Sequence, residues 1–121
     1  MADAPAATLW NGTTGLLLAS VVPATRTWAL AIGWIGRRPA PGVALRLEPC
    51  ARIHTFGVPE PLDTVHCDAD GTALHVGTVA PNRIGPRVPG TRLVWEARAA
   101  QLVGRVHVGD RLETRTDGPV D

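Results

Sequence analysis

The stretch from Cys50 to Gly71, CARIHTFGVPEPLDTVHCDADG, limits the fold more than any other. Pro59 and Pro61 lack a backbone N–H, and Gly57 weakens any helix around it, so the middle of this stretch cannot be helical. Two extended segments joined by a stiff loop remain. Strand geometry sends alternate side chains to opposite faces. Cys50, Arg52 and His54 then share one face of the outgoing segment, and Ala51, Ile53 and Thr55 the other. On the return, Leu62, Thr64 and His66 oppose Asp63, Val65 and Cys67. Asp68-Ala69-Asp70-Gly71 reads as a tight turn with Gly71 at positive φ, and Thr72 to Val79 as the next strand of an antiparallel meander.

The flanking sequence adds further elements. Asn11-Gly12 is a turn pair joining a short strand at Thr8 to Trp10 to the aliphatic run Gly15 to Val22, which fits strand or helix. Pro23 opens a segment in which Trp28, Ala31, Ile32 and Ile35 fall on one helical face, ahead of Arg37, Arg38 and Pro39. This predicts a helix of about three turns near Thr25–Arg37, although Trp28, Leu30, Ile32 and Trp34 also alternate as in a strand. Val43, Leu45 and Leu47 alternate with Arg46 and Glu48, a half-buried strand interrupted by Pro49. Thr91 to Glu96 reads as a strand with Trp95 in the core. Ala97 to Val103 is Ala-rich and predicts a short helix ended by Gly104. A last strand, Arg111 to Thr116, follows Gly109-Asp110.

Composition excludes several functions. A chain of 121 residues with 45% hydrophobic content fits one domain with a sizeable core. Residues 8–116 form that domain, between tails at 1–7 and 117–121. A net charge of +1 offers no general field for nucleic acid or anionic lipid. All twelve basic residues are Arg, so Schiff-base and P-loop lysine chemistry are absent, and without Tyr no phenol can act. No apolar run approaches the roughly 18 residues a membrane helix needs. Met1 to Thr8 lacks the basic region of an export signal. The expectation is a cytoplasmic protein with two free thiols, no membrane partner and no nucleic-acid partner.

Chemistry concentrates in the central stretch. Cys50, His54, His66 and Cys67 could be weighed as metal ligands, with Asp63 a substitute. However, His66 and Cys67 are neighbours on a strand and point oppositely, and no paired short-spaced framework is present, so no metal and no cofactor are expected. Cys50 with His54 as base would need a bulge at Pro49 to bring residues four apart on one strand together. The bland reading makes both cysteines small buried hydrophobes, His54 a rim residue and Asp63 a cap for backbone N–H groups of the Pro-rich loop. Arg83, Arg87 and Arg92 lie in PNRIGPRVPGTR, which fits an anion-binding loop or a solvated connector.

Several motifs resemble the DUF192 family in order and spacing. They are GWIGRR at Gly33–Arg38, PCARIHTFG at Pro49–Gly57, PLD at Pro61–Asp63 with the D-x-DG turn at Asp68–Gly71, VAPNRIGPRVPG at Val79–Gly90 and VGDRLE at Val108–Glu113. The resemblance spans about Gly15 to Glu113. Val58, Glu60, His66, Cys67 and Asn82 depart from its usual pattern. The family's biochemical activity is not established. A V-G-D-x-L box also resembles the turn of small cradle-like barrels, in which the Asp ties down the bend.

The expected architecture is α+β: a small, mostly antiparallel β-barrel or strongly bent sheet with one covering helix and one short helix. Two functions are compatible with it. One is a non-catalytic accessory module binding a small molecule or a protein partner through His54, Phe56, Pro61, Asp63 and Arg83. The other is a small enzyme using His54 and Asp63 as an acid–base pair.

Overall fold

The computed structural model describes residues 7–22 and 38–116. Seven strands run in chain order: β1 (Ala7–Asn11), β2 (Leu16–Val21), β3 (Val43–Leu47), β4 (Leu62–Cys67), β5 (Ala73–Val79), β6 (Leu93–Arg98) and β7 (Leu112–Thr116). They form one sheet in the order β5-β4-β6-β3-β2-β1-β7.

Turn chemistry fixes the hairpins. Asn11 Oδ1 accepts the backbone N–H groups of Thr13 and Thr14, and Gly15 takes φ 79° to re-enter β2. Between β4 and β5, Asp68 Oδ1 accepts the N–H groups of Asp70 and Thr72. Gly71 sits there at φ 85°, and a Cβ on it would lie 2.7 Å from the Leu112 carbonyl oxygen, so only glycine lets this turn settle on β7. At the start of β7, Asp110 Oδ2 accepts from the His107 N–H and from Asn11 Nδ2, tying that bend to the β1–β2 turn. The His107 N–H first, then the Asn11 amide, hold the Asp110 carboxyl below its ordinary value.

The expected α+β fold with a barrel, a covering helix and a short second helix is not what forms. The sheet is not closed into a barrel, and no helix occurs among the described residues. The edge strands β5 and β7 share no ladder. Thr72 and Arg111 make one isolated bridge where they start, and β7 then turns away with Glu113–Thr116 exposed. The short helix expected at Ala97–Val103 is absent. Ala97 and Arg98 extend β6 against β3 and β4, and Ala100 then takes φ 73°, which breaks any helical run. Cross-strand partners outweigh the weak helical preference of alanine here. The helix expected near Thr25–Arg37 lies outside the described residues. β2 and β3 pair in parallel. Nor is Cys50–Thr55 a strand: it is loop, with a single bridge between His54 and Ile84. No helix of the described residues is long and apolar enough to cross a membrane.

Every residue of β4 is buried, so both of its faces are covered. On one face Val65, Cys67, Trp95 and Ala97 pack with Leu9, Leu18, Leu102 and Leu112. On the other, Leu62 and Leu45 meet Val58, while Val79 and Val94 meet Ile53. The loop over residues 49–61 is thus pinned to this second face by Ile53 and Val58. Burying such side chains contributes about 2 kcal/mol each, enough to hold a segment that makes no ladder.

Candidate functional site

Thr55 organises the expected rim. It is fully buried. Its hydroxyl donates to the Ala80 carbonyl at 2.6 Å and accepts the Arg83 N–H at 3.0 Å. Its own N–H donates to the Arg83 carbonyl, and its carbonyl accepts from the N–H groups of Asn82 and Val58. Asn82 Oδ1 accepts the Gly57 N–H, and Arg52 Nε donates to the Gly85 carbonyl. Residues 52–58 and 80–85 are therefore one clamped double loop.

Its inward side chains are Ile53, Thr55 and Val58, and His54 and Phe56 point outward. Phe56 is 48% exposed and Ile84 57%. The His54 and Phe56 rings lie 5.3 Å apart, and His54 faces Ile84 across the bridge. The three make one continuous outer strip with Arg52 and Arg83 on the same loops. No carboxylate occurs in residues 51–58 or 81–88.

Asp63 belongs elsewhere. It is fully buried on the β4 face shared with Val65 and Cys67, opposite the face that the 49–61 loop covers. Its Oδ1 accepts the Thr78 hydroxyl at 2.9 Å, and its Oδ2 accepts the N–H groups of Leu102 at 3.0 Å and Val103 at 2.9 Å. It caps the turn after β6 and accepts three hydrogen bonds. His54 Nδ1 accepts the Phe56 N–H. The structure thus brings His54, Phe56 and Arg83 together, leaves Pro61 exposed at the entry to β4, and places Asp63 on the far side of the sheet. No hydrogen bond links His54 to Asp63.

The second face holds a polar group that strand alternation alone does not reveal. Thr64 sits directly between Gly77 and Glu96, and the next row is His75 beside His66. The Thr91 hydroxyl gives its one proton to the Val88 carbonyl at 2.7 Å, so at 3.2 Å it accepts from His66 Nδ1–H. His66 is then the Nδ1–H tautomer with a bare Nε2. That atom, Thr64 Oγ1 and His75 Nδ1 are buried with no hydrogen-bond partner among the described residues. Burial, then the neighbouring His75, push the His66 pKa down. Glu96 is 4% exposed, and burial raises its carboxyl from 4.5 to about 7.

Cys50 lies close enough to feel the Glu96 charge. Burial raises its thiol pKa, a backbone hydrogen bond at Arg52 opposes this, and Glu96 raises it further. The Cys67 thiol is pushed up to about 12, by burial first and then Asp68. Both are free thiols in their protonated form at neutral pH, unlike an activated nucleophile. No group of three or more His, Cys, Asp or Glu among the described residues could hold a metal ion.

No family model, curated protein or solved structure matches the chain. The resemblance to the DUF192 family rests on the order of its short motifs alone.

Sequence reasoning missed Ile84 and Glu96. Ile84 sits in a Pro/Gly-rich loop, where an isolated large aliphatic residue was the available signal. Glu96 follows Trp95 in an alternating strand, a pattern that ordinarily sends a carboxylate to solvent.

Proposed function

We propose that the chain is a non-catalytic binding module whose outer strip, Phe56–His54–Ile84, docks an acidic protein segment carrying an apolar side chain. The observation that carries this reading is the clamp. It holds two large apolar side chains out in solvent on a rigid double loop whose charged residues are all cationic. Exposed apolar area of this kind, fixed rather than mobile, loses little conformational entropy on binding. Arg52, Arg83 and Arg87 complement carboxylates on the partner. A cytoplasmic setting and kinship with the DUF192 family belong to the same proposal, supported by the two free thiols and by the motif order.

The test is an NMR titration with an extended peptide in which glutamates flank one leucine, and with a lysine-flanked counterpart. Shifts confined to residues 52–58 and 82–87 are expected with the acidic peptide only. Affinity should fall as salt is raised from low to physiological ionic strength. Phe56→Ala and Ile84→Ala should abolish the shifts while the melting temperature holds, since both side chains are exposed. Equal binding of the two peptides, or no shifts with either, would overturn the reading.

A further inference from the structure

His66 on β4 and His75 on β5 are direct cross-strand partners, so their side chains share one face of the sheet. Their rings stand T-shaped, with centroids 5.6 Å apart and planes at 90°. Each presents one nitrogen, His66 Nε2 and His75 Nδ1, that is buried and has no hydrogen-bond partner among the described residues. Thr64 Oγ1, one row along the same face of β4, is a third such atom. Three bare polar atoms on neighbouring positions of one ladder are costly, and native folds rarely retain such a group without use.

Both nitrogens carry free lone pairs. The Thr91 hydroxyl gives its own proton to the Val88 carbonyl and accepts the His66 Nδ1–H, which leaves His66 Nε2 without one. His75 is half-buried, and with its proton on Nε2 its enclosed Nδ1 is bare as well. The His75 ring lies along β5 beside Gly77, where a Cβ would come within 3.0 Å of its Cε1, and Gly77 is the cross-strand partner of Thr64. Ring spacing separates the possible occupants. Two imidazoles ligating one ion at about 2.1 Å place their centroids about 5 to 6 Å apart, whereas one water donating to both at about 2.9 Å spreads them beyond about 6 Å. The observed 5.6 Å fits the ion. A histidine that ligates a metal ordinarily donates its other N–H to a fixed acceptor, the part that Thr91 plays for His66.

We infer that His66 Nε2 and His75 Nδ1 together bind a divalent first-row transition metal ion, with a water held by the Thr64 hydroxyl completing its coordination. Imidazole nitrogens favour ions of this class, whereas magnesium and calcium take oxygen ligands. Two protein nitrogens make an open, exchangeable site rather than a closed structural one. Glu96, directly across from Thr64 on β6, supplies a carboxylate to answer the charge. β5 is an edge strand, so the ion enters past the half-buried His75 without opening the sheet's centre. The site uses no residue of the Phe56–His54–Ile84 strip, so its failure and that of the docking proposal are independent.

The experiment is a titration of the ¹⁵N-labelled full chain with ZnCl₂, MgCl₂ and CaCl₂, read by long-range ¹H–¹⁵N correlation of the histidine rings. Zn²⁺ is expected to bind with a dissociation constant below about 1 mM. It should move the His66 Nε2 and His75 Nδ1 resonances together and leave His66 Nδ1 protonated. Mg²⁺ and Ca²⁺ should move neither. Zn²⁺ should also raise the urea midpoint, because the paired nitrogens exist only in the folded ladder. His75→Gln, on the half-buried edge strand, should abolish both responses. Thr91→Val removes the acceptor that fixes the His66 tautomer and should weaken Zn²⁺ by about tenfold or more. No movement of either ring nitrogen up to about 1 mM Zn²⁺ would overturn the inference. Zn²⁺ shifts confined to the exposed His54 and His107, or full affinity in both variants, would do the same.

Discussion

Replacing Glu96 by Gln tests the most unusual electrostatic feature of the sheet. Burial alone lifts the Glu96 carboxyl from 4.5 to about 7. A group whose folded-state pKa is raised keeps its proton in the fold after the unfolded chain has released it. Stability is therefore highest below the unfolded value of 4.5, declines as pH rises to about 7, and is level above that. Each tenfold step in acidity is worth about 1.4 kcal/mol, so the whole interval amounts to about 3 kcal/mol. Glutamine has the same shape and no ionisation. The variant should equal or slightly trail the parent at pH 4.5 and exceed it by about 3 kcal/mol at pH 8. His66 acts in the opposite sense. Its lowered pKa removes stability as pH falls below the ordinary 6.5, in both proteins, so it largely cancels in the difference. The Asp110 contribution, lost on acidification, also cancels. Urea unfolding of both proteins at half-unit steps from pH 4.5 to 8 reads the effect as a diverging pair of midpoints. A parent–variant difference constant to within about 0.5 kcal/mol over that range, the usual scatter between independent sites, would refute the assignment of a buried, unpaired carboxyl to this position.

Asp63→Ala would strand the Thr78 hydroxyl and the N–H groups of Leu102 and Val103; a loss of about 3 kcal/mol or more in urea unfolding is expected, with faster amide exchange at Leu102 and Val103. Gly71→Ala combines positive φ with a 2.7 Å approach to the Leu112 carbonyl, whereas Gly15→Ala meets only the φ penalty because no atom lies within 4 Å. In thermal melts the first should lose about 2 kcal/mol or more and the second about 1. At pH 8 the Cys67 thiol should resist iodoacetamide until the fold opens, because its pKa is pushed up to about 12. As pH rises past the ordinary 9.0 toward 12, the unfolded thiol ionises first and the fold loses stability.

The elements that could be read from the sequence are those whose determinants are local. Asn11-Gly12 and Asp68–Gly71 carry their own turn chemistry, and the bonds of Asn11 and Asp68 to the backbone show why those residues work there. Alternation from Leu62 to Cys67 also assigns the correct faces. The Asp110 bend follows the pattern expected of a V-G-D box. What escaped depends on distant partners. Alternation at Cys50–Thr55 suggested a strand, yet the N–H groups of Cys50 and Thr55 donate to the Arg92 and Arg83 carbonyls, outside any ladder. The Ala-rich run after Trp95 looked helical because nothing local announces that Ala97 will face Ala44 and Asp63. Insertion of β6 between β4 and β3 is a consequence of the whole sheet.

The cover on both faces of β4 explains why the expected His54–Asp63 site does not assemble. A half-exposed hairpin has one dry face and one wet face, and a carboxylate beside a proline-rich loop would belong to the wet one. With the 49–61 loop over one face and Leu9, Leu18, Leu102 and Leu112 packed in the core on the other, β4 has no wet face. A carboxylate in it must find donors inside, and Asp63 finds them in the turn that follows β6. Glu96 meets the same circumstance on the other face without such donors, and the raised pKa is the result. Polar groups free to engage a partner must then lie on segments outside the sheet's centre, as in the clamped loops with His54, Phe56, Ile84 and Arg83. Recognition there depends on the rigidity of the support. A Thr55→Val substitution, which removes the hydroxyl contacts to Ala80 and Arg83 but keeps the buried bulk, should loosen the strip, read as faster amide exchange at Arg83.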